Sequence, residues 1–507
     1  MKVKNKQQCF IIMVFANPLL GRGRGGFLPR LTFTFIILAS LSVKAEITLP
    51  KVLGNNMVLQ SGKPVPIWGV ASPGEKVSVA FRNQTKNVTT DASGHWLVTF
   101  DAMKISSVPS IMKITGSNTI QLENILIGEV WICSGQSNME YTMRKNSKVV
   151  KTDSSKNSPI DELQRAKNPM IRIFLVTNKN LQKPDPAHMG WSIAKDSALR
   201  SFSAAGYFFA KELFDKLQVP IGVISSAVPG SAIEPWMSGT ITNNAELSAT
   251  QPKPMIDETI PGKFFPNMVQ PLAPFAIKGF LWYQGETNCF QNESLEYTYK
   301  MQALINGWRN LWEDKNLPFY YVQIAPFFYS KSAGKYPLTT ETLPKFWEAQ
   351  VVALKIPNTA MAATTDLNNT PNELHPGFKW EVGRRLALIA LSKNYGKKNV
   401  CSGPLYKQMK IQKGKIELEF MNTGAGLISK DGKPLTTFTI AGADGNFVPA
   451  EAVVEANKII AWSPSVPNPL SVRFEWTEMG HANLYNKDGL PALPFRTDNP
   501  IRFEGGK

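Results

Sequence analysis

Cysteine and histidine are both scarce: the 507 residues include four of each. Cys9, Cys133, Cys289 and Cys401 lie far apart with no C-x-x-C pair, which excludes a disulfide scaffold and argues against any metal site, structural zinc included. Internal repeats and low-complexity stretches are also missing, and no apolar run is long enough to cross a bilayer. With 19% charged residues and a mean hydropathy of −0.16, a polytopic membrane protein is excluded. What is present is apolar material for a packed interior. At 43% hydrophobic and 10% aromatic residues, global disorder is excluded, and two to four domains of roughly 100–200 residues are expected.

The formal charge of +17 suggests nucleic acid until its placement is considered. Residues 1–45 contain Lys2, Lys4, Lys6, Arg22, Arg24, Arg30 and Lys44 and no acid. They surround the apolar run Leu31 to Val43, and Val43-Lys44-Ala45 puts small residues at the −3 and −1 positions of a cleavage site. This is the pattern of a signal peptide over 1–45, so export to the periplasm or outside the cell is expected, with Glu46 as first mature residue and no stable membrane insertion after cleavage; the alternative, given the long basic region before the apolar run, is an uncleaved anchor. The remaining positive charge forms no basic stripe, so no nucleic-acid partner is expected.

From residue 46 to 122, short Val-, Ile- and aromatic-containing stretches alternate with turn signals such as Ser72-Pro73-Gly74 and Ser93-Gly94, as in a small β-sandwich region. From 123 to 400 the texture changes. Apolar runs at 125–133, 221–228, 277–284, 319–326 and 359–367 read as strands buried on both faces, and helical periodicity covers 204–217, 297–312, 345–354 and 378–391. Strands alternating with helices predict an α/β domain with a doubly wound parallel sheet. From 401 to 507 the pattern returns to short strands, predicting a C-terminal β-sandwich region.

Ligands of such sheets bind at the carboxyl ends of the strands. Strand 125–133 ends in Ser134-Gly135-Gln136-Ser137-Asn138-Met139, where Ser137 is either a helix cap or a nucleophile. It is not a G-x-S-x-G elbow. Strand 221–228 leads to Gly230, and strand 277–284 to Gln284-Gly285-Glu286-Thr287-Asn288; Gly230 and Asn288 are either turn residues or donors to a developing oxyanion. A serine nucleophile needs an imidazole base. Among His95, His188, His375 and His481, only His375 falls at a strand end beside acidic residues.

GQSNM around Ser137, the Gly230 loop, Gly285-x-x-Asn288 and an acid-x-His pattern at Glu373-Leu374-His375 resemble the four blocks of SGNH hydrolases. GEVWICSGQSNMEYTM and FLWYQGETN are similar to the sialate O-acetylesterase family of carbohydrate esterases. LPKVLGNNMVLQ and NLYNKDGLPALPFRTD extend the resemblance over nearly all of the chain after residue 45. It implies an SGNH-type (flavodoxin-like) three-layer fold and a serine esterase that removes O-acetyl groups from sugars, such as 9-O-acetyl sialic acid or acetylated oligosaccharides, through an acetyl-enzyme and without a cofactor. By position, Ser137 resembles the nucleophile, His375 the base, and the Ser137 N–H, Gly230 N–H and Asn288 amide the oxyanion hole.

SGNH hydrolases usually carry Asp three residues before the histidine, where this chain has Asn372. Glu373 and Asp366 are the available carboxylates, Glu373 favoured, with a backbone carbonyl as the remaining way to orient the imidazole. Gln136, Trp236, Gln284 and Glu286 are candidate substrate-binding residues. Trp236, Trp282 and Tyr283 either offer ring faces to a pyranose or pack in the core. Two other functions compete: a carbohydrate-binding protein with an inactive esterase core, and another SGNH esterase or lipase.

Overall fold

The computed structural model describes residues 45–150, 158–176, 188–241, 256–257 and 259–505. Apart from Ala45, the expected signal peptide lies outside these residues. Seven strands of an eleven-stranded sheet run through the middle of the molecule: β1 (Thr119–Gly135), β2 (Ile171–Leu175), β3 (Ser192–Ile193), β4 (Ile221–Ala227), β5 (Gly279–Tyr283), β6 (Phe319–Val322) and β7 (Thr359–Ala362). Their order is β7-β6-β5-β1-β4-β2-β3. Neighbours are parallel from β7 to β2, and β3 joins antiparallel. Chain-successive β4 and β5 flank β1 on opposite sides, so a crevice opens at the carboxyl end of β1.

The helices that pack on this sheet or follow its strands include α1 (Ser137–Glu140), α2 (Ala204–Leu217), α3 (Glu286–Phe290), α4 (Leu295–Leu311), α5 (Thr342–Val352) and α6 (Lys379–Asn394). Side chains alternate along β1. Val130 and Ile132 pack into the cluster that contains Leu304 and Trp308 of α4 and Phe346 and Trp347 of α5. Trp131 and Cys133 pack with Phe209 and Leu213 of α2 and Leu386 and Ile389 of α6. Burial on both faces is why these strands read as continuous apolar runs.

The central sheet is mixed rather than parallel throughout. The first half of β1 extends beyond the helices and pairs antiparallel with strand Ser106–Thr115 and parallel with Val58–Gln60. The connection Gly116-Ser117-Asn118 is too short for a crossover, so it can join only antiparallel neighbours. The position 122/123, where the first β region is expected to end, thus lies inside β1. Nothing in the sequence reading anticipates β2 and β3, because IRIFL is too short and too isolated between polar segments for periodicity to distinguish it from loop. Further antiparallel sheets flank the centre. Before β1, Val65–Val70 pairs with His95–Phe100. After residue 401, one four-stranded sheet is built on Lys415–Met421 and another on Phe438–Ala441, around a core that includes Leu418, Ile440 and Phe474.

Candidate active site

Strand β1 ends in tight packing. Gly135 pairs with Tyr283 of β5 and Ala227 of β4 and has φ +136°, and a Cβ there would stand 2.1 Å from the Tyr283 carbonyl oxygen. Only glycine fits. The Gln136 N–H donates to that carbonyl at 3.0 Å, and the chain then turns into the single turn of α1. Asn138 and Met139 face inward, whereas Ser137 is partly open to solvent.

His375 lies on the loop after β7, 238 residues away in sequence. Its Nε2 is 2.8 Å from Ser137 Oγ. Burial pushes the imidazole below its ordinary value, and Lys379 and Lys145 add to this. It is therefore held neutral at physiological pH, the state in which a ring nitrogen can accept a hydroxyl proton.

No carboxylate among the described residues, neither Asp366 nor Glu373, is hydrogen-bonded to this imidazole. Asp366 is taken by α6: Arg385 donates to Asp366 Oδ1 and Oδ2 at 2.7 and 2.8 Å, and the Tyr485 hydroxyl donates at 2.9 Å. Burial raises the Asp366 carboxyl, but the arginine outweighs it and holds the group below the usual carboxylate range. The Glu373 segment is turned rather than extended, with the Glu373 N–H donating to the Thr370 carbonyl at 3.1 Å; no hydrogen bond joins its carboxylate to His375, and its charge acts on Tyr141 and Lys379.

The Gly230 loop is exposed, with φ +69° at Gly230. Neither the Gly230 nor the Ser137 N–H is used in a hydrogen bond among the described residues. Asn288 is fully buried, and its Oδ1 accepts from the Ile233 N–H at 3.0 Å and from Gln284 Nε2 at 2.7 Å. Because a backbone N–H can only donate, this fixes the amide orientation. Asn288 Nδ2 then lies 3.3 Å from Glu234 and 3.2 Å from Glu293, two carboxylates joined by Lys300. Burial pushes the Glu293 carboxyl up to about 7 despite Lys300.

The four residues expected to touch substrate are buried and hold the loops instead. Gln136 Oε1 accepts from the N–H groups of Gly285 and Thr287 at 3.3 and 3.4 Å, tying α1 to α3. Gln284 Nε2 donates to the Ser231 carbonyl as well as to Asn288. Glu286 accepts from Asn138 Nδ2, and its second oxygen has no hydrogen-bond partner. Trp236 is 0% exposed, packs on Phe264 and edge-on against Trp282, and donates Nε1 to Ser231 Oγ at 3.0 Å. A ring without accessible surface cannot stack on a sugar, and the same holds for Trp282 and Tyr283. Sequence reasoning missed Lys379 altogether, since a lysine opening an amphipathic helix reads as a solvated residue.

The family description "carbohydrate esterase, sialic acid-specific acetylesterase" matches residues 127–392, which span all of the residues above except Tyr485. The chain belongs to this family. It is therefore a carboxylic ester hydrolase. This esterase is 28% identical to the sialate O-acetylesterase of Homo sapiens over 93% of this chain and 96% of the human protein. The mouse sialate O-acetylesterase is 28% identical over 92% and 97%. A carbohydrate acetylesterase from Xanthomonas citri superposes with a TM-score of 0.76 at 34% identity, covering 90% of this chain and all of that one.

Proposed function

We propose that this esterase removes O-acetyl groups from carbohydrates, acetylated sialic acid among them, through an acetyl-enzyme on Ser137. The observation that carries the reading is the 2.8 Å contact between Ser137 Oγ and His375 Nε2 at the crevice of the sheet. Ser137 Oγ attacks the acetyl carbonyl carbon while its proton moves to His375 Nε2. The Ser137 and Gly230 N–H groups stabilise the resulting oxyanion, and Asn288 Nδ2 becomes the third donor by exchanging one of its two carboxylate contacts, to Glu234 and Glu293, for the oxyanion. Collapse breaks the bond to the sugar oxygen, which takes the proton from the imidazolium. Water, deprotonated by the same imidazole, then releases acetate. Ser137 and His375 act as a dyad with no carboxylate on the imidazole.

The overall arrangement fits an SGNH-type fold, with a β-sandwich region on each side of a catalytic domain spanning roughly residues 123–400. The basic and apolar character of residues 1–45 supports export, and no helix among the described residues is long and apolar enough to cross a membrane. The test is Ser137→Ala, assayed by acetate release from acetylated sialic acid and from a small acetyl ester. A loss approaching the roughly 10⁶ seen for a protease nucleophile is expected, with an unchanged Tm. Activity within tenfold of wild type would refute the mechanism.

A further inference from the structure

Lys379 is 0% exposed, opens α6 four residues after the base and makes no salt bridge among the described residues. Its ammonium donates to Asn138 Oδ1 and to the Pro376 carbonyl, each at 2.7 Å. The rings of Tyr141 and Tyr283 lie 4.9 and 5.2 Å away. Asn138 directly follows Ser137, and Pro376 directly follows His375. Asn138 also reaches across with its Nδ2 to the Leu374 carbonyl at 3.1 Å, just before the base. One buried cation therefore holds the residue next to the nucleophile and the residue next to the base.

We propose that Lys379 is the positioning residue of this site: it clamps the His375 loop onto the Ser137 loop through Pro376 and Asn138, doing from the backbone side what a triad carboxylate does from the imidazole. The inference rests on the reading of Ser137 and His375 as nucleophile and base. It has an electrostatic consequence opposite to that of a triad acid. A carboxylate favours the imidazolium, whereas a nearby ammonium disfavours it and keeps the base in its accepting form at lower pH.

The charged and titratable groups around the two side chains are Lys145 on the short helix Met143–Asn146, Tyr141 after α1, Tyr283 at the end of β5, Glu286 on α3 and Glu373 on the base's own loop. Of these, Lys379 is the first charge that lowers His375, after burial, with Lys145 second. Burial pulls Lys379 itself down to about 7 against the charges of Glu286 and Glu373. It is still protonated across the acidic range in which His375 titrates, so the repulsion operates where it is measured.

The experiment is the pH profile of kcat/KM on a small acetyl ester for wild type, Lys379→Met and Ser137→Ala. Methionine keeps the length and burial but removes the charge and the donors. In Lys379→Met the acid limb is expected to rise toward the ordinary imidazole value of about 6.5, and kcat to fall by about 10²-fold through the released loop, with little change in KM. A purely structural role would lower the yield of folded enzyme and leave the acid limb in place. An unmoved limb with kcat within threefold of wild type overturns the proposal. If Lys379→Met does not fold, the wild-type profile decides, and an acid limb at or above 6.5 overturns it. An active Ser137→Ala variant would instead bring down the underlying mechanism, whatever the lysine variant does.

Discussion

Replacing Asp366 by Asn separates a structural carboxylate from a catalytic one. The side chain receives two hydrogen bonds from Arg385 and one from Tyr485, and both members of the ion pair are nearly inaccessible, at 5% and 7%. Removing one partner of a buried pair costs about 3–5 kcal/mol, because the other charge is left uncompensated. Arg385 keeps a second contact, Nε to Glu381 Oε1 at 2.8 Å, so the low end of that range, about 3 kcal/mol, applies. With the compact unit of residues 44–507 taken to unfold in one step at about 2.1 cal/mol/K per residue, the unfolding entropy is roughly 1 kcal/mol/K and Tm falls by about 3 °C. The pH dependence has a definite sign. The folded carboxyl is held below its unfolded value of about 3.9, so its stabilisation is complete above that pH and is lost as the pH falls through the folded value. The gap in Tm between wild type and Asp366→Asn should be constant from pH 5 to 8 and close below pH 4. Thermal unfolding followed by circular dichroism measures it, and kcat/KM on the folded fraction should stay within about tenfold. An unchanged Tm with a loss near the 10⁴ seen when a triad aspartate is amidated would restore Asp366 as the acid that orients His375.

Trp236→Ala removes a fully buried ring and should cost about 3–5 kcal/mol in urea unfolding while leaving KM for an acetylated sugar within a factor of about three; a tenfold rise in KM at unchanged stability would return the ring to the substrate site. Gly135→Ala forces a Cβ against the Tyr283 carbonyl at φ +136°, and should abolish activity or prevent accumulation of soluble enzyme, so a normally active, normally stable variant would show that the end of β1 is not as tightly packed as described. Because no group of three or more His, Cys, Asp or Glu among the described residues is placed to hold an ion, dialysis against a chelator should leave the rate unchanged, and a loss restored by zinc or calcium would contradict a metal-free dyad.

Local chemistry is written plainly along this chain. Helix Ala204–Leu217 coincides with its apolar periodicity, and the central strands other than β2 and β3 follow from continuous apolar runs, because burial on both faces demands apolar residues at every position. The polar segments after β1, β4, β5 and β7 carry Ser137, Gly230, Asn288 and His375, and strand ends in an open sheet are where such residues meet. What a side chain touches once there is a tertiary matter. Asp366 and Glu373 are equally available in the sequence, but Arg385, a turn and a half along α6 from Lys379, reaches Asp366 first, and the turned segment after Thr370 leaves the Glu373 carboxylate without a hydrogen bond to the base. Trp236 and Glu286 look like ligand contacts because they sit in strand-end loops, yet those loops fold inward and bury them. Lys379 shows the same limit from the other direction. Composition and spacing mark it as a surface charge, and only the packing of α6 against the end of β1 buries its ammonium between Asn138 and Pro376, the residues that follow the nucleophile and the base, because desolvation depends on neighbours drawn from the whole chain.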